Sequence, residues 1–245
     1  MNIDFSVVPA ALPFLIRGAL LTIALTLASQ ALGTFIGFFL ALGRMSHRWP
    51  LRGAVWLYVW IFRGTPLLLH LFLIYYGAPL VGVTFDAMPA AIIAMTISSS
   101  AYNCEIIRAG LQSVGRGQIE AAQAIGMRWF RIVWKIVVPQ AVRVIIPPYM
   151  GNFISHAKSS SLASVITVPE LMLTAQEIYS RNYRTIEILV TTGAIYLAIT
   201  TGLTLLQLFL ERWTDFQSRG VGRARRRRLA LEDSSSLPVA PEHVA

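Results

Sequence analysis

The sequence predicts an all-α integral membrane protein with about five transmembrane helices and a polar, amphipathic cytoplasmic loop between the third and the fourth. Three observations predict it. Hydrophobic residues make up 55% of the 245-residue chain and charged residues only 13%, against roughly 25% in an ordinary soluble domain. Several apolar stretches reach the ~20 residues that a spanning helix needs. These stretches are continuous rather than alternating, which favours helices over a closed barrel, the other structure that satisfies its backbone inside lipid.

The first apolar segment covers residues 12–42, with Arg17 near its start and Arg44 just beyond it. Gly33, Gly37 and Ala41 recur every four residues, a spacing that lets a second helix approach closely. A basic stretch follows, with Arg44, His47, Arg48 and Arg52. The second segment, residues 55–83, is interrupted by Arg63-Gly64-Thr65-Pro66. Arg63 at the bilayer centre would cost about 2.5–3.5 kcal/mol, and Pro66 would disturb an unbroken helix. Two readings fit: an interfacial helix over residues 51–62 with the span starting at 66, or one kinked helix with Arg63 facing the protein interior. The kinked helix is preferred, because residues 66–83 alone are short for a span.

The third segment covers residues 87–111 and carries Glu105 and Arg108 in its last turns. A polar, amphipathic stretch occupies about 114–135. The fourth segment runs over 137–168 and the fifth over 186–210. Beyond Gln217 the chain becomes Arg-rich and then Ser/Pro-rich, a composition that reads as disordered. The chain therefore divides into a membrane domain, residues 1–215, and a cytoplasmic tail, residues 216–245. The tail run Arg225 to Arg228 resembles a nucleic-acid patch, but after a membrane span attraction to anionic lipid is the better reading.

Charge sets the orientation. The net charge is +9, and the positive residues collect after the first segment, after the third, and in the tail. The alternate loops are poor in them, with Asp86 alone around residues 77–88. Lys and Arg mark the cytoplasmic side, so the N-terminus is expected outside and the C-terminus in the cytoplasm. No basic region precedes the first apolar run, so no cleavable signal is expected. Cys104 is the single cysteine and reads as a small hydrophobe. The four histidines are far apart, which predicts no metal site. The chain lacks a Gly-x-x-x-x-Gly-Lys-Ser/Thr phosphate loop, so it is not expected to hydrolyse ATP itself.

In the cytoplasmic loop, residues 118–125 hold good helix formers and no breaker. Gly126 stops that helix, a second short turn begins at Trp129, and Pro139 marks re-entry into the membrane. From physics alone this is either an interfacial loop lying on anionic headgroups or a protein-docking element. Glu120-Ala121-Ala122, Gly126, Ile136 and Pro139 resemble, at the same spacing, the cytoplasmic coupling loop of binding-protein-dependent ATP-binding-cassette importers. There the pattern is Glu-Ala-Ala, three residues, Gly, nine residues, Ile, any residue, Leu-Pro; Val138 stands here for Leu. The stretches around Phe62 to Leu68, Tyr102 to Leu111 and Lys158 to Leu162 resemble the polar amino acid permease branch (His/Gln/Arg/opine-type), with Ala109, Ser159 and Ser160 as departures. The similarity covers roughly residues 10–215.

The resemblance implies a permease subunit that pairs with a second, identical or similar permease. It implies a coupling loop, about residues 114–139, that docks through Glu120, Ala121, Ala122 and Gly126, with Pro139 behind, onto a cytoplasmic ATPase dimer holding the ATP and Mg. It also implies an extracytoplasmic substrate-binding protein, a bacterial cytoplasmic (inner) membrane location, no cofactor on this chain and no nucleic acid partner. Polar residues inside spans are functional candidates. Tyr102, Asn103, Glu105, Asn152, His156, Lys158 and Ser161 are the candidates for a substrate path. Glu105 is read first as a structural ion-pair partner of Arg108 one turn on, and Tyr102 and Asn103 equally as helix-packing residues. The competing function is a secondary transporter or channel that needs no ATP.

Overall fold

The computed structural model describes residues 4–215; the sequence-predicted tail, residues 216–245, lies outside the described residues. Among the described residues every regular element is a helix. A short 3-10 turn, Phe5–Val7, is capped by Asp4, which accepts from Ser6 N at 2.9 Å. It leads into α1 (Val8–Arg44). Then come α2 (Trp49–Gly64), α3 (Leu67–Phe72), a π-helical turn (Leu73–Gly77) and a 3-10 turn (Ala78–Val81). α4 (Ala87–Gln112), α5 (Arg116–Ala124) and α6 (Trp129–Ile132) follow, and α6 runs through a second π-helical turn (Val133–Val137) into α7 (Val138–Ser159). A 3-10 segment (Ser160–Ile166), α8 (Leu171–Asn182) and α9 (Thr185–Asp215) complete the order. Proline sits at the first or second position of α1, α2 and α7, where its fixed φ suits a helix start and no N–H is needed.

Three helices are long and apolar enough to cross a membrane: Phe5–Arg44, Ala87–Gln112 and Thr185–Thr214. α2 and the segment Leu67–Val81 pass together as a fourth, bent by 104°. α7 is long enough at 22 residues but does not join them by apolar character, because Arg143, Asn152, His156 and Lys158 dilute it. The break in the second segment falls at Thr65–Pro66, where both readings put it, but the 104° bend is far sharper than the preferred kink. Pro66 has no N–H to continue α2 and drives Thr65 into an extended conformation (φ −114°, ψ 147°). Arg63 is not in the protein interior of this chain; its guanidinium lies over the Tyr102 ring, 5.2 Å from the centroid.

α4 is the centre of the bundle, with 67% of its apolar window buried, whereas α9 buries only 11% of its own. The small-residue row in α1 explains how α1 reaches α4. A Cβ on Gly33 would stand 2.7 Å from Ser99 Oγ, and one on Gly37 would stand 2.9 Å from Ser100 O. Apolar packing is divided among clusters rather than gathered in one core. One joins Leu25, Leu71, Met95 and Ile166; another joins Leu15, Leu171 and Ile188; a third joins Ala41, Val55, Val59, Cys104 and Ile107. Large side chains such as Phe14, Leu20, Phe35, Phe39, Leu197 and Phe209 stay exposed, which suits a surface that meets acyl chains rather than water.

Candidate functional site

The break between α2 and α3 opens a cavity of ≈ 350 Å³ walled by Thr65, Pro66 and Leu67 from the break. α4 contributes Ser98, Ser99 and Tyr102, and α7 contributes Asn152, Ser155, His156 and Ser159. The spacing explains the convergence. Ser98 and Tyr102 lie four apart on α4, while Asn152, Ser155, His156 and Ser159 follow the three-and-four rhythm of one helix face. The lining offers hydroxyls, an amide, a phenol and an imidazole, with no carboxylate, lysine or arginine among them. Such walls have the groups to hydrogen-bond a small polar molecule.

A buried polar network holds these walls. Ser29 Oγ and His156 Nε2 are 2.8 Å apart, and Ser99 Oγ donates to Gln30 Oε1 at 2.7 Å. Asn103, fully buried, donates through Nδ2 to Thr34 Oγ1 (3.2 Å) and Ser99 Oγ (3.1 Å), and its Oδ1 accepts from Asn152 Nδ2 (3.2 Å). One side chain thus ties α1, α4 and α7 together. On α4, Ser100 Oγ meets Tyr58 Oη at 2.7 Å, fastening α2.

Of the sequence-predicted path residues, the structure brings Tyr102, Asn152 and His156 to this cavity. Asn103 sits behind the wall as a positioning residue. Lys158 is exposed and Ser161 half-buried, and neither lines it. Glu105 lies in a different cavity and is gripped by Arg108, whose Nη2 is 2.6 Å and Nε 3.0 Å from Oε2. Sequence reasoning missed Thr65, Ser98, Ser99, Ser155 and Ser159 as lining. The signal was present in the serines that keep helical register with Tyr102 and Asn152.

The cytoplasmic loop forms a second unit. α5 is a nine-residue helix that buries Ala122 against Val114, Ile132 and Val137, with Ile119 and Met127 at the edge. Gly126 takes φ +76°, a left-handed conformation that side chains disfavour. Gly126 N donates to Gln123 O (2.9 Å) and Met127 N to Ala122 O (3.0 Å), closing the helix C-terminus. Glu120 and Ala121 face solvent, with Ile125 78% exposed beside them. Gln140 Nε2 donates to Gln118 Oε1 at 2.6 Å, pinning α5 to the start of α7. Pro139 is exposed at that start, in the first turn of α7.

Comparison with known proteins completes the site. Residues 33–216 match the family described as binding-protein-dependent transport system inner membrane component. The chain is 44% identical over 204 residues to the L-cystine transport system permease protein TcyB of Bacillus subtilis (strain 168), covering 83% of this chain and 87% of that protein. It is 42% identical over 206 residues to the octopine transport system permease protein OccM of Rhizobium radiobacter, covering 80% of this chain and 84% of that one. A crystal structure of an amino acid ABC transporter with histidines superposes with a TM-score of 0.81 at 37% identity, over 86% of this chain and 99% of that one.

Proposed function

Because this chain belongs to the family of binding-protein-dependent transport system inner membrane components, we propose that it is the permease subunit of an ATP-binding-cassette importer for polar amino acids or related compounds such as opines. The observation that carries this reading is the likeness to the L-cystine and octopine permeases across 83% and 80% of the chain. The cavity between the α2–α3 break, α4 and α7 supports the substrate class, since its hydroxyls, amide and imidazole suit a small polar solute.

In this reading the chain crosses the cytoplasmic membrane five times. α7 is the fourth crossing, and its low apolar character is explained by the polar face it turns to the cavity. The basic loops put the N-terminus outside and the C-terminus in the cytoplasm. Two permease chains, identical or similar, make the path. α5 and its Gly126 cap dock on a cytoplasmic ATPase dimer that carries the ATP and Mg, and this chain binds no cofactor. A binding protein outside delivers substrate to Tyr102, Asn152 and His156. Lys158, one turn beyond Ser155 on α7, is the cation at hand for a substrate carboxylate, with Ser161 beside it. Membrane lipid covers the apolar surface.

The test is uptake into liposomes holding the chain and its ATPase, with binding protein added outside and labelled L-cystine, L-arginine, L-glutamine and octopine offered in turn. Accumulation of at least one that requires internal ATP is expected. Accumulation without ATP or ATPase would replace the importer with a secondary transporter, and no accumulation of any would refute the substrate class.

A further inference from the structure

A second polar cavity, of ≈ 390 Å³, lies against the first. Its walls include Arg44 of α1, Trp56, Trp60 and Arg63 of α2, and Tyr102 and Glu105 of α4. Tyr102 lines both cavities, so the two share one aromatic wall beside the break that ends α2.

The chemistry of this cavity differs from that of its neighbour, because it holds full charges. Glu105 Oε2 is taken by Arg108 at 2.6 Å, which leaves Oε1 facing Arg44 Nε at 3.6 Å. Neither of those two atoms has a hydrogen-bond partner among the described residues. At 3.6 Å they attract without forming a good hydrogen bond. Arg63 has no acidic partner among the described residues; its contact is the Tyr102 ring. Of the residues lining the cavity, two arginines therefore stand against one carboxylate, so a positive charge is left over. Trp56 and Trp60 are stacked with their rings 6.1 Å apart and 13° from parallel, and both are largely exposed.

An α-amino acid in its zwitterionic form fits this inventory. Its carboxylate matches a guanidinium fork at Arg63 or Arg44. Its ammonium matches the exposed indole face of Trp56 or Trp60, while Glu105, already paired with Arg44 and Arg108, closes the inner wall. We propose that this cavity is a second amino-acid site, separate from the uncharged cavity and reached from it past Tyr102. The lining of the first cavity offers only uncharged hydrogen-bonding groups, with Lys158 beyond it; the second offers guanidinium and indole within its own walls for the charged head group common to all α-amino acids. This inference rests on the reading of the chain as an amino-acid permease.

The test is equilibrium binding of radiolabelled L-cystine, L-arginine and L-glutamine to the detergent-purified complex of permease and ATPase, without nucleotide or binding protein. Two classes of bound amino acid per permease chain are expected. Arg63→Gln and Trp60→Leu should weaken one class by at least about tenfold, because each removes a principal contact. Ser155→Leu, which fills the first cavity, should abolish the other class and leave the Arg63-dependent one. Arg63 and Trp60 carry the test because neither belongs to an ion pair of the fold. A single class that Ser155→Leu removes and Arg63→Gln and Trp60→Leu leave within about twofold would overturn the second site while the importer stands. Failure of every amino acid to bind, together with failure of ATP-driven uptake, would overturn both readings.

Discussion

Glu170 shows what a single buried group does in this molecule. It lies between the 3-10 segment after α7 and α8, outside the spanning segments, and is fully buried. Its Oε1 accepts from Leu173 N at 2.9 Å and so caps α8. Its Oε2 accepts from Tyr196 Oη at 2.8 Å and Thr22 Oγ1 at 3.3 Å, and Thr22 Oγ1 in turn accepts from Leu171 N at 3.1 Å. One carboxyl thus joins α1, α8 and α9. Burial pushes its pKa up, and the donors from Met172, Leu173, Tyr196 and Thr22 only partly oppose this. A carboxyl whose pKa is raised by folding adds stability below its unfolded pKa, and that contribution is lost as the pH rises through the folded pKa. The thermal midpoint of the wild-type protein in detergent should therefore rise, relative to Glu170→Gln, as the pH falls from neutral toward the ordinary carboxylate value of 4.5. Glu170→Ala should lower stability at every pH by about 1–3 kcal/mol, since it strands buried donors. A wild-type curve parallel to that of Glu170→Gln would show that the carboxyl is not strained by burial. Nothing in the sequence singled out Glu170, because its partners lie 148 and 26 residues away and its hydrogen bonds exist only once three helices have met.

At the scale of elements, the α1–α4 contact was legible and the α2–α3 geometry only half so. Gly33 and Gly37 at a four-residue spacing announce a close helix approach, and the structure puts α4 against them, with Ser99, Ser100 and Asn103 in the space a side chain would need. Gly37→Val should therefore destabilise the membrane domain by about 1–3 kcal/mol, the usual cost of overpacking. Gly193→Val on α9, where nothing lies within 4 Å of an added Cβ, should do far less. The check is thermal midpoint and recovery of the folded fraction by size exclusion. Equal losses in both would remove the close approach as the cause. Pro66 marked the break in the second segment, but its 104° bend depends on what each half packs against: Val55 and Val59 join the Ala41 cluster, whereas Leu71 joins the Leu25 cluster. For the same reason the cavity was legible only in part. Tyr102, Asn152 and His156 stand out as polar residues in apolar spans, while serines look like ordinary small packing residues until the bend at Thr65–Pro66 uncovers them.

Across the whole molecule, the cavity and the cytoplasmic loop are tied at the start of α7. The cavity walls on α7 and the exposed helix α5 are joined through the Val133–Val137 turn, the Gln118–Gln140 hydrogen bond and the Ala122 cluster. A motion imposed on α5 therefore has a continuous packed route to Asn152, Ser155, His156 and Ser159. In the proposed importer, this route would carry a motion driven by ATP hydrolysis on a partner to the cavity. Gly126 is the place to interrupt it. Nothing lies within 4 Å of a Cβ added there, so a substitution meets no steric clash, and Asp tolerates the left-handed backbone better than most residues. Gly126→Asp should thus keep the fold while adding charge and bulk to the exposed end of α5. The most direct measurement is ATP hydrolysis stimulated by substrate-loaded binding protein in liposomes, for the wild-type complex and for Gly126→Asp. The account predicts stimulation in the wild type and its loss in the variant, with amino-acid binding by the permease unchanged. Equal stimulation in both, or uptake that needs neither ATP nor an ATPase, would contradict it.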